Sequence, residues 1–297
     1  MRILIATDGS KEATAALQTA KRLLRPGGRE IDLLCVAPRR RKGASDKAQE
    51  NGYEQRLLRE ATQILERAKA SFSRNEVPIN LLAAIGSPAA AIVNRAVEYD
   101  LTVIGPKGHG TGSIGGLGPV ASRVVEHAHA PVLVAREMRG EGGIRVLAAV
   151  DGSTASLHAI ETLTEIFDLT SAEVCLMHVA EIPWTELGLE EDWVTYSEEE
   201  QAQSEAGVME KELLREGEDV VEQARALLRA QNVLVTTRID EGDPANEILS
   251  EADRGQYDLV VAGATGARDL KHSMLGSVSL KIAWNAPCSV FIVREPE

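Results

Sequence analysis

The chain has 297 residues, 44% hydrophobic and 26% charged, which suits two globular domains of about 150 residues each. Its formal net charge of −13 argues against broad binding to the polyanionic backbone of nucleic acid, and no run approaches the roughly 20 apolar residues of a membrane-spanning helix. Cys35, Cys175 and Cys288 form no C-x-x-C pair and read as small buried hydrophobes, and the N-terminal apolar run is too short for a signal peptide, so the expected location is the cytoplasm.

In chain order, apolar runs predict strands near residues 2–6, 30–36, 77–84, 101–105 and 131–135. Most are nearly continuous rather than alternating, as expected of parallel strands covered on both faces. Aromatic residues make up only 3% of the chain, so the cores must be built from Ala, Val, Leu and Ile. The first strand runs into Asp8-Gly9-Ser10, where the serine suits a helix cap better than a nucleophile, because no histidine is tied to it by a local pattern. A basic run, Arg39 to Lys42, follows the second strand. Ser87-Pro88 reads as an N-cap followed by proline at the first helical position. After the fourth strand comes Gly105-Pro106-Lys107-Gly108, then a glycine-rich stretch with Gly110, Gly112, Gly115 and Gly116, closing on Gly118-Pro119-Val120-Ala121.

From residue 144 the pattern begins again. RILIATDGS at 2–10 recurs as RVLAAVDGS at 145–153, and Gly86-Ser87-Pro88 as Gly242-Asp243-Pro244. YDLTVIG at 99–105 recurs as YDLVVAG at 257–263, and PVLVAR at 131–136 as SVFIVR at 289–294. The matches stay in order over nearly the whole chain, so the chain is expected to hold two like units, residues 1–138 and 144–297, joined by a flexible glycine-rich linker. Alternating strand and helix predicts an α/β fold: two tandem doubly wound domains, each a five-stranded parallel sheet with helices on both faces. The apolar last strands, 131–135 and 289–293, would make aggregation-prone edges if left bare, so they are expected to pair with each other within the chain or across a homodimer. The second repeat also carries an acidic insertion from Glu181 through Glu222, read as solvated surface.

The second repeat carries the chemistry. Its fourth strand ends at Gly263, and the chain then follows G-x2-G-x9-G-S through Gly266, Gly276 and Ser277. Glycines at 263 and 266 let the backbone turn and approach a ligand without a Cβ. Gly276-Ser277 opens the next helix, where amide N–H groups and the helix dipole favour an anion, and the hydroxyls of Ser277 and Ser279 add donors. Arg268, Lys271 and His272 lie in the intervening loop. Asp151, after the first strand of the same repeat, should share that sheet edge. A bare reading of glycine, loop and N-cap also fits an ordinary strand-to-helix connection. No G-x4-G-K-[ST] loop occurs, and the six histidines form no metal-like set.

In Asp151-Gly152-Ser153, His178-Val179 and the 263–277 loop, and in the repeat of this pattern over essentially its full length, the chain resembles the universal stress protein family. The resemblance implies an adenine nucleotide alpha hydrolase-like fold and a stress-response regulatory protein of the subtype that binds ATP, with AMP or ADP as further candidates and Mg²⁺ a possible companion. It implies adenosine contacts from Asp151 and from the backbone at Val179. It places ribose and phosphates at Gly263, Gly266, Gly276, Ser277, Val278 and Ser279. The first repeat keeps Asp8, Val36, Gly105, Gly108, Gly118 and Val120 at matching positions but has Pro119 and Ala121 where the second has two serines, so nucleotide is expected mainly in the second repeat. The alternatives are a slow ATPase, for which the loop offers cations but no evident base, and an interaction scaffold that binds no nucleotide.

Overall fold

The structure, a computed structural model, describes residues 1–39, 47–72, 77–109, 116–138, 140, 142–181, 205–231, 233–266 and 275–295. Loop residues Gly110, Gly112, Gly115, Arg268, Lys271 and His272, the basic run beyond Arg39 and most of the acidic insertion lie outside them. The first half comprises β1 (Arg2–Ala6), α1 (Lys11–Leu23), β2 (Glu30–Pro38), α2 (Lys47–Ala70), β3 (Ile79–Gly86), α3 (Pro88–Ala96), β4 (Leu101–Ile104), α4 (Pro119–His127) and β5 (Val132–Val134). The second comprises β6 (Arg145–Ala149), α5 (Thr154–Ile166), β7 (Glu173–Ala180), α6 (Glu205–Leu228), β8 (Leu234–Glu241), α7 (Pro244–Arg254), β9 (Leu259–Gly263), α8 (Ser277–Asn285) and β10 (Ser289–Val293).

Local chemistry explains several boundaries. Ser10 and Ser153 cap α1 and α5, each side chain accepting from the amide three residues on (Ala13 and Ser156). Asp243 caps α7 through the Asn246 amide, whereas Ser87 occupies the N-cap position of α3 without a side-chain bond. Gly9 and Gly152, at φ +76° and +78°, turn the chain between strand and cap in a region that glycine enters without strain.

Within each half the strands are parallel and doubly wound, and the halves join into one ten-stranded sheet, β3-β2-β1-β4-β5-β10-β9-β6-β7-β8. The expected pairing of last strands occurs within the chain: β5 and β10 run antiparallel, with Val134 opposite Val290 and Val132 opposite Ile292. The two apolar edges are thereby removed. Antiparallel joining also reverses one half relative to the other, so the carboxyl edge of one half lies beside the amino edge of its neighbour.

The hydrophobic core divides by sheet face rather than by repeat. One face packs against α1, α2, α5 and α6 and the other against α3, α4, α7 and α8, each continuous across both halves. Strand side chains alternate between the two, Phe291 and Val293 to the first, Val290 and Ile292 to the second. Phe291 meets Phe167 edge-on, with ring centroids 4.9 Å apart. Cys35, Cys175 and Cys288 are all buried and in no disulfide, as expected. The glycine-rich linker is tethered, because the Arg22 guanidinium on α1 donates to the carbonyls of Gly140 and Gly142.

The arginines that end the repeated PVLVAR and SVFIVR segments lock the halves together. Arg136 donates to the Ala283 and Cys288 carbonyls, at 2.9 and 3.0 Å, at the end of α8. Arg294 reciprocates, donating to the carbonyls of Val125 and Glu126 on α4 at 3.2 and 2.8 Å. Each places a cation at the negative end of the other half's last helix. Burial lowers the pKa of Arg136 to about 10, still charged at neutral pH. Arg136→Met is expected to destabilise the protein by about 2–4 kcal/mol, since two charge-assisted bonds at roughly 1.5–3 kcal/mol each are lost from a partly exposed site. A urea denaturation midpoint unchanged from wild type would contradict this role.

Candidate functional site

Each half brings its predicted residues to the point where strand order reverses, between its first and fourth strands, where open α/β sheets bind ligands. In the second half β6 lies between β9 and β7. Asp151 follows β6, Val179 lies in β7 opposite Asp240 of β8, and Gly263 closes β9. The Gly276 amide donates to the Ala264 carbonyl at 2.7 Å, drawing the far end of the loop back to the strand and setting the first turn of α8 at the same edge. Amides at Ser277, Val278 and Ser279 belong to that first turn and have no carbonyl one turn earlier in the helix.

Individual roles differ from those the spacing suggests. Gly263 has no left-handed backbone; what requires glycine is the start of α5. A Cβ there would meet the Ala155 carbonyl carbon at 2.8 Å and the Ser156 nitrogen at 2.9 Å, so the missing side chain lets helix and strand end touch. Ser279 is buried and its Oγ donates to the Gly263 carbonyl at 2.6 Å, which ties α8 to β9. Ser277 is exposed and Val278 partly so, at the mouth of the site. The Asp151 carboxylate accepts from the Ser153 amide at 3.0 Å and the Ser153 hydroxyl at 2.6 Å, which orients it across the start of α5. His178 bonds through Nδ1 to the Val150 carbonyl at 2.9 Å and packs against Gly217 of α6, holding the end of β7 beside Asp151.

The first half repeats this frame. Gly118 caps α4 and donates to the Pro106 carbonyl at 2.8 Å, the counterpart of the Gly276 bond. A Cβ on Gly105 would lie 3.3 Å from the Ala13 backbone, a looser fit than at Gly263. Proline at the first position of α4 supplies no N–H, and Ala121 offers no hydroxyl to bond the strand end. The Asp8 carboxylate reaches across the crevice, accepting from the Ser10 amide at 3.0 Å and the His109 amide at 2.8 Å. It fills the space into which a Cβ on Gly108 would project. Burial alone would raise the Asp8 pKa; bonds from Ser10 and the His109 amide outweigh it, and the carboxyl stays below its ordinary range. Burial, with the Asp8 charge, pushes the Cys35 thiol up to about 11 and leaves it unreactive at neutral pH.

Because the halves are reversed, the end of the first loop lies against the other half. Gly116, at φ +73°, sits on the ring of Trp284 from α8; a Cβ would be 3.1 Å from Cε3. The start of the second loop, Ala264 and Thr265, instead opens on a cleft of about 1400 Å³ between the halves, bordered by Glu126, His127 and Arg294. The Trp284 contact joins residues far apart in sequence, and nothing in the loop motif signals it. The reciprocal arginines were visible as a repeated residue, but their partners were not. Among the described residues no group of three or more His, Cys, Asp or Glu side chains could hold a metal ion, and no helix is long and apolar enough to cross a membrane.

Comparison with known proteins agrees with this repeated architecture. The sequence model of the universal stress protein family matches residues 1–136 and again 144–294. A universal stress protein of Methanocaldococcus jannaschii is 30% identical over 154 residues, covering 52% of this chain and 83% of that protein. One from Mycobacterium tuberculosis is 26% identical over 250 residues, covering 80% of this chain and 75% of that protein. Among solved structures, a universal stress protein of Archaeoglobus fulgidus aligns over 99% of this chain and 98% of its own, with a TM-score of 0.61 at 20% identity. That likeness extends the shared fold to both halves together.

Proposed function

The chain belongs to the universal stress protein family, and from that premise we propose that it is an adenine-nucleotide-binding regulatory protein of stress response that holds ATP mainly in its second repeat. The observation that carries the reading is the closed G-x2-G-x9-G-S loop, whose Gly276 amide bonds back to Ala264 and presents the start of α8 beside Asp151. In this reading Asp151 and the Val179 backbone meet the adenosine part. Phosphates lie over the amides of Ser277 and Val278 and the hydroxyl of Ser277, with Gly266 and Gly276 leaving room, while Gly263 serves the site by letting the end of β9 close on α5. Ser279 shapes the site by bonding the Gly263 carbonyl. The repeats act as two units, residues 1–138 and 144–297, and binding biases their arrangement or the choice of partner.

Helix amides and hydroxyls attract an anion and fix its oxygens without supplying a base for water, so binding without rapid turnover is the expected behaviour. Mg²⁺, where it accompanies ATP, would neutralise phosphate charge. Calorimetric titration with ATP, with and without Mg²⁺, tests the proposal when product is followed over hours. Saturable binding with product formation at the buffer rate supports it. Turnover lost on loop substitution would make the protein an ATPase instead, and no binding would leave an interaction scaffold.

A further inference from the structure

We propose that the chain forms a twofold dimer through the outer edge of β3, with two copies of that strand paired antiparallel. The sheet ends on two strands of unlike character, β3 and β8. β3 reads INLLAAIG, carries no charged residue, and is half-buried at every position except the exposed Asn80. The Asn80 amide is taken up on its own sheet, donating to Glu30 at 3.0 Å and to Asp32 at 2.8 Å. β8 reads LVTTRIDE, with Arg238, Asp240 and Glu241 in the strand. Charged side chains are a common protection of an edge strand, and an apolar edge without them invites pairing. The long helices beside the two edges differ in the same sense. α2, packed on β3, has five basic and four acidic residues, whereas α6, packed on β8, has three basic and seven acidic. In a chain of net charge −13, a second copy therefore meets a nearly neutral flank at β3 and a repelling one at β8.

Backbone geometry fits the edge to a second copy of itself. Ile31 lies opposite Ile79 and donates its amide to the Pro78 carbonyl at 3.0 Å. In a parallel ladder alternate residues turn both backbone groups to the same neighbour. Asn80, Leu82 and Ala84 thus face β2, and Ile79, Leu81, Ala83 and Ile85 turn their N–H and C=O groups to the open edge. Among the described residues nothing pairs with those outer groups. A twofold axis at Leu82 sets Ile79 opposite Ile85 and Leu81 opposite Ala83 of the other copy, and the outer groups of all four residues then find partners. The side chains brought together are apolar, Ile79 with Ile85, Leu81 with Ala83 and Leu82 with its own copy, so the contact also buries hydrophobic surface. The chain already joins equivalent strands in this way, since β5 and β10 pair antiparallel between the halves. A contact of β3 with itself closes on two chains. β3 against β8 would instead run on as a filament and would bring the charged residues of β8 into the joint.

Sedimentation velocity and crosslinking of the whole protein test this. A species of twice the 32.0 kDa chain mass is expected in concentration-dependent equilibrium with the monomer. Ala83→Pro removes an N–H that points away from β2 and leaves the β2 ladder whole, as proline on an edge strand can. By symmetry it takes two hydrogen bonds from the joint, so dimerisation should weaken at least about tenfold while circular dichroism stays native. Thr237→Pro is the matching change on β8, where the Gly242 amide bonds to Ala180 and Thr237 therefore faces outward; it should leave the dimer intact. Leu82→Cys gives a positive test that does not depend on a disruptive variant. Facing residues of a non-hydrogen-bonded antiparallel pair have Cα atoms about 4.5 Å apart, within disulfide reach, so mild oxidation should link two chains. Wild-type protein, whose three cysteines are buried, should not be linked. A dimer that survives Ala83→Pro, or a folded Leu82→Cys protein that forms no inter-chain disulfide, would overturn the proposal. A monomer at every concentration would overturn it as well and leave the edge to a strand of another protein.

Discussion

Gly276→Val is expected to remove high-affinity ATP binding. Gly276 is a buried N-cap whose amide closes the loop onto Ala264, and the next residues present the amides proposed to hold phosphate. A branched side chain there fills the phosphate space and disfavours the cap conformation, where valine ranks far below glycine. Ser277→Pro gives the graded form of the experiment, because proline is well accommodated at a helix's first position and Pro119 already occupies it in α4. It removes one amide and one hydroxyl without perturbing the cap. Each bond to a charged acceptor contributes about 1.5–3 kcal/mol, so the two losses weaken binding by roughly a hundredfold to ten-thousandfold. Isothermal titration of both variants, after circular dichroism shows native folding, reads the effect. ATP affinity retained within about twofold in Ser277→Pro would remove the start of α8 from the site.

Gly263→Ala is expected to destabilise the protein strongly through backbone packing. The added methyl would sit 2.8–3.0 Å from backbone atoms of Ala155 and Ser156, which cannot rotate away as a flexible side chain does. The start of α5 or the end of β9 must move, and both are tied: Ser156 donates its amide to the Ser153 cap, and the Gly263 carbonyl accepts from Ser279. Overpacking of a tight contact typically costs 1–3 kcal/mol, and loss of an N-cap adds about 1 kcal/mol, so a total of about 3 kcal/mol is expected. Gly105→Ala in the first repeat provides the control. Its added methyl would lie 3.3 Å from the Ala13 backbone, a distance that a shift of a few tenths of an ångström relieves, so its cost should be less than half as large. Urea unfolding of the two variants side by side measures the difference. Equal destabilisation would show that close packing on α5 is not what demands glycine at 263.

The same pair of glycines shows how far a sequence alone can be read. Two ordered copies of one pattern are enough to establish the repeated doubly wound fold, because apolar runs and caps act through neighbours in the chain. Ser10 and Ser153 cap their helices by bonds spanning three residues, a range at which local sequence and local structure coincide. Matching residues then proved to have unlike surroundings. Ser279 holds the Gly263 carbonyl through its hydroxyl, where the matching Ala121 has none. Likewise, Gly116 rests on Trp284, from the other half.

Pairing of the last strands was legible as a need, since two apolar edges must be covered, but the choice between partner and self was not. Edge chemistry is the same for either partner, and only the antiparallel β5–β10 contact, with Arg136 and Arg294 crossing to the opposite helices, decided it. Once the halves join this way, both core layers run through the whole sheet. By itself, then, the sequence determined the repeated pattern, its strand order class and the glycine-bearing connection after each fourth strand, all of which follow from periodicity and short-range hydrogen bonding. Tertiary structure decided which side chains reach that edge and which are spent on packing, because those outcomes depend on backbones and rings brought together from opposite ends of the chain.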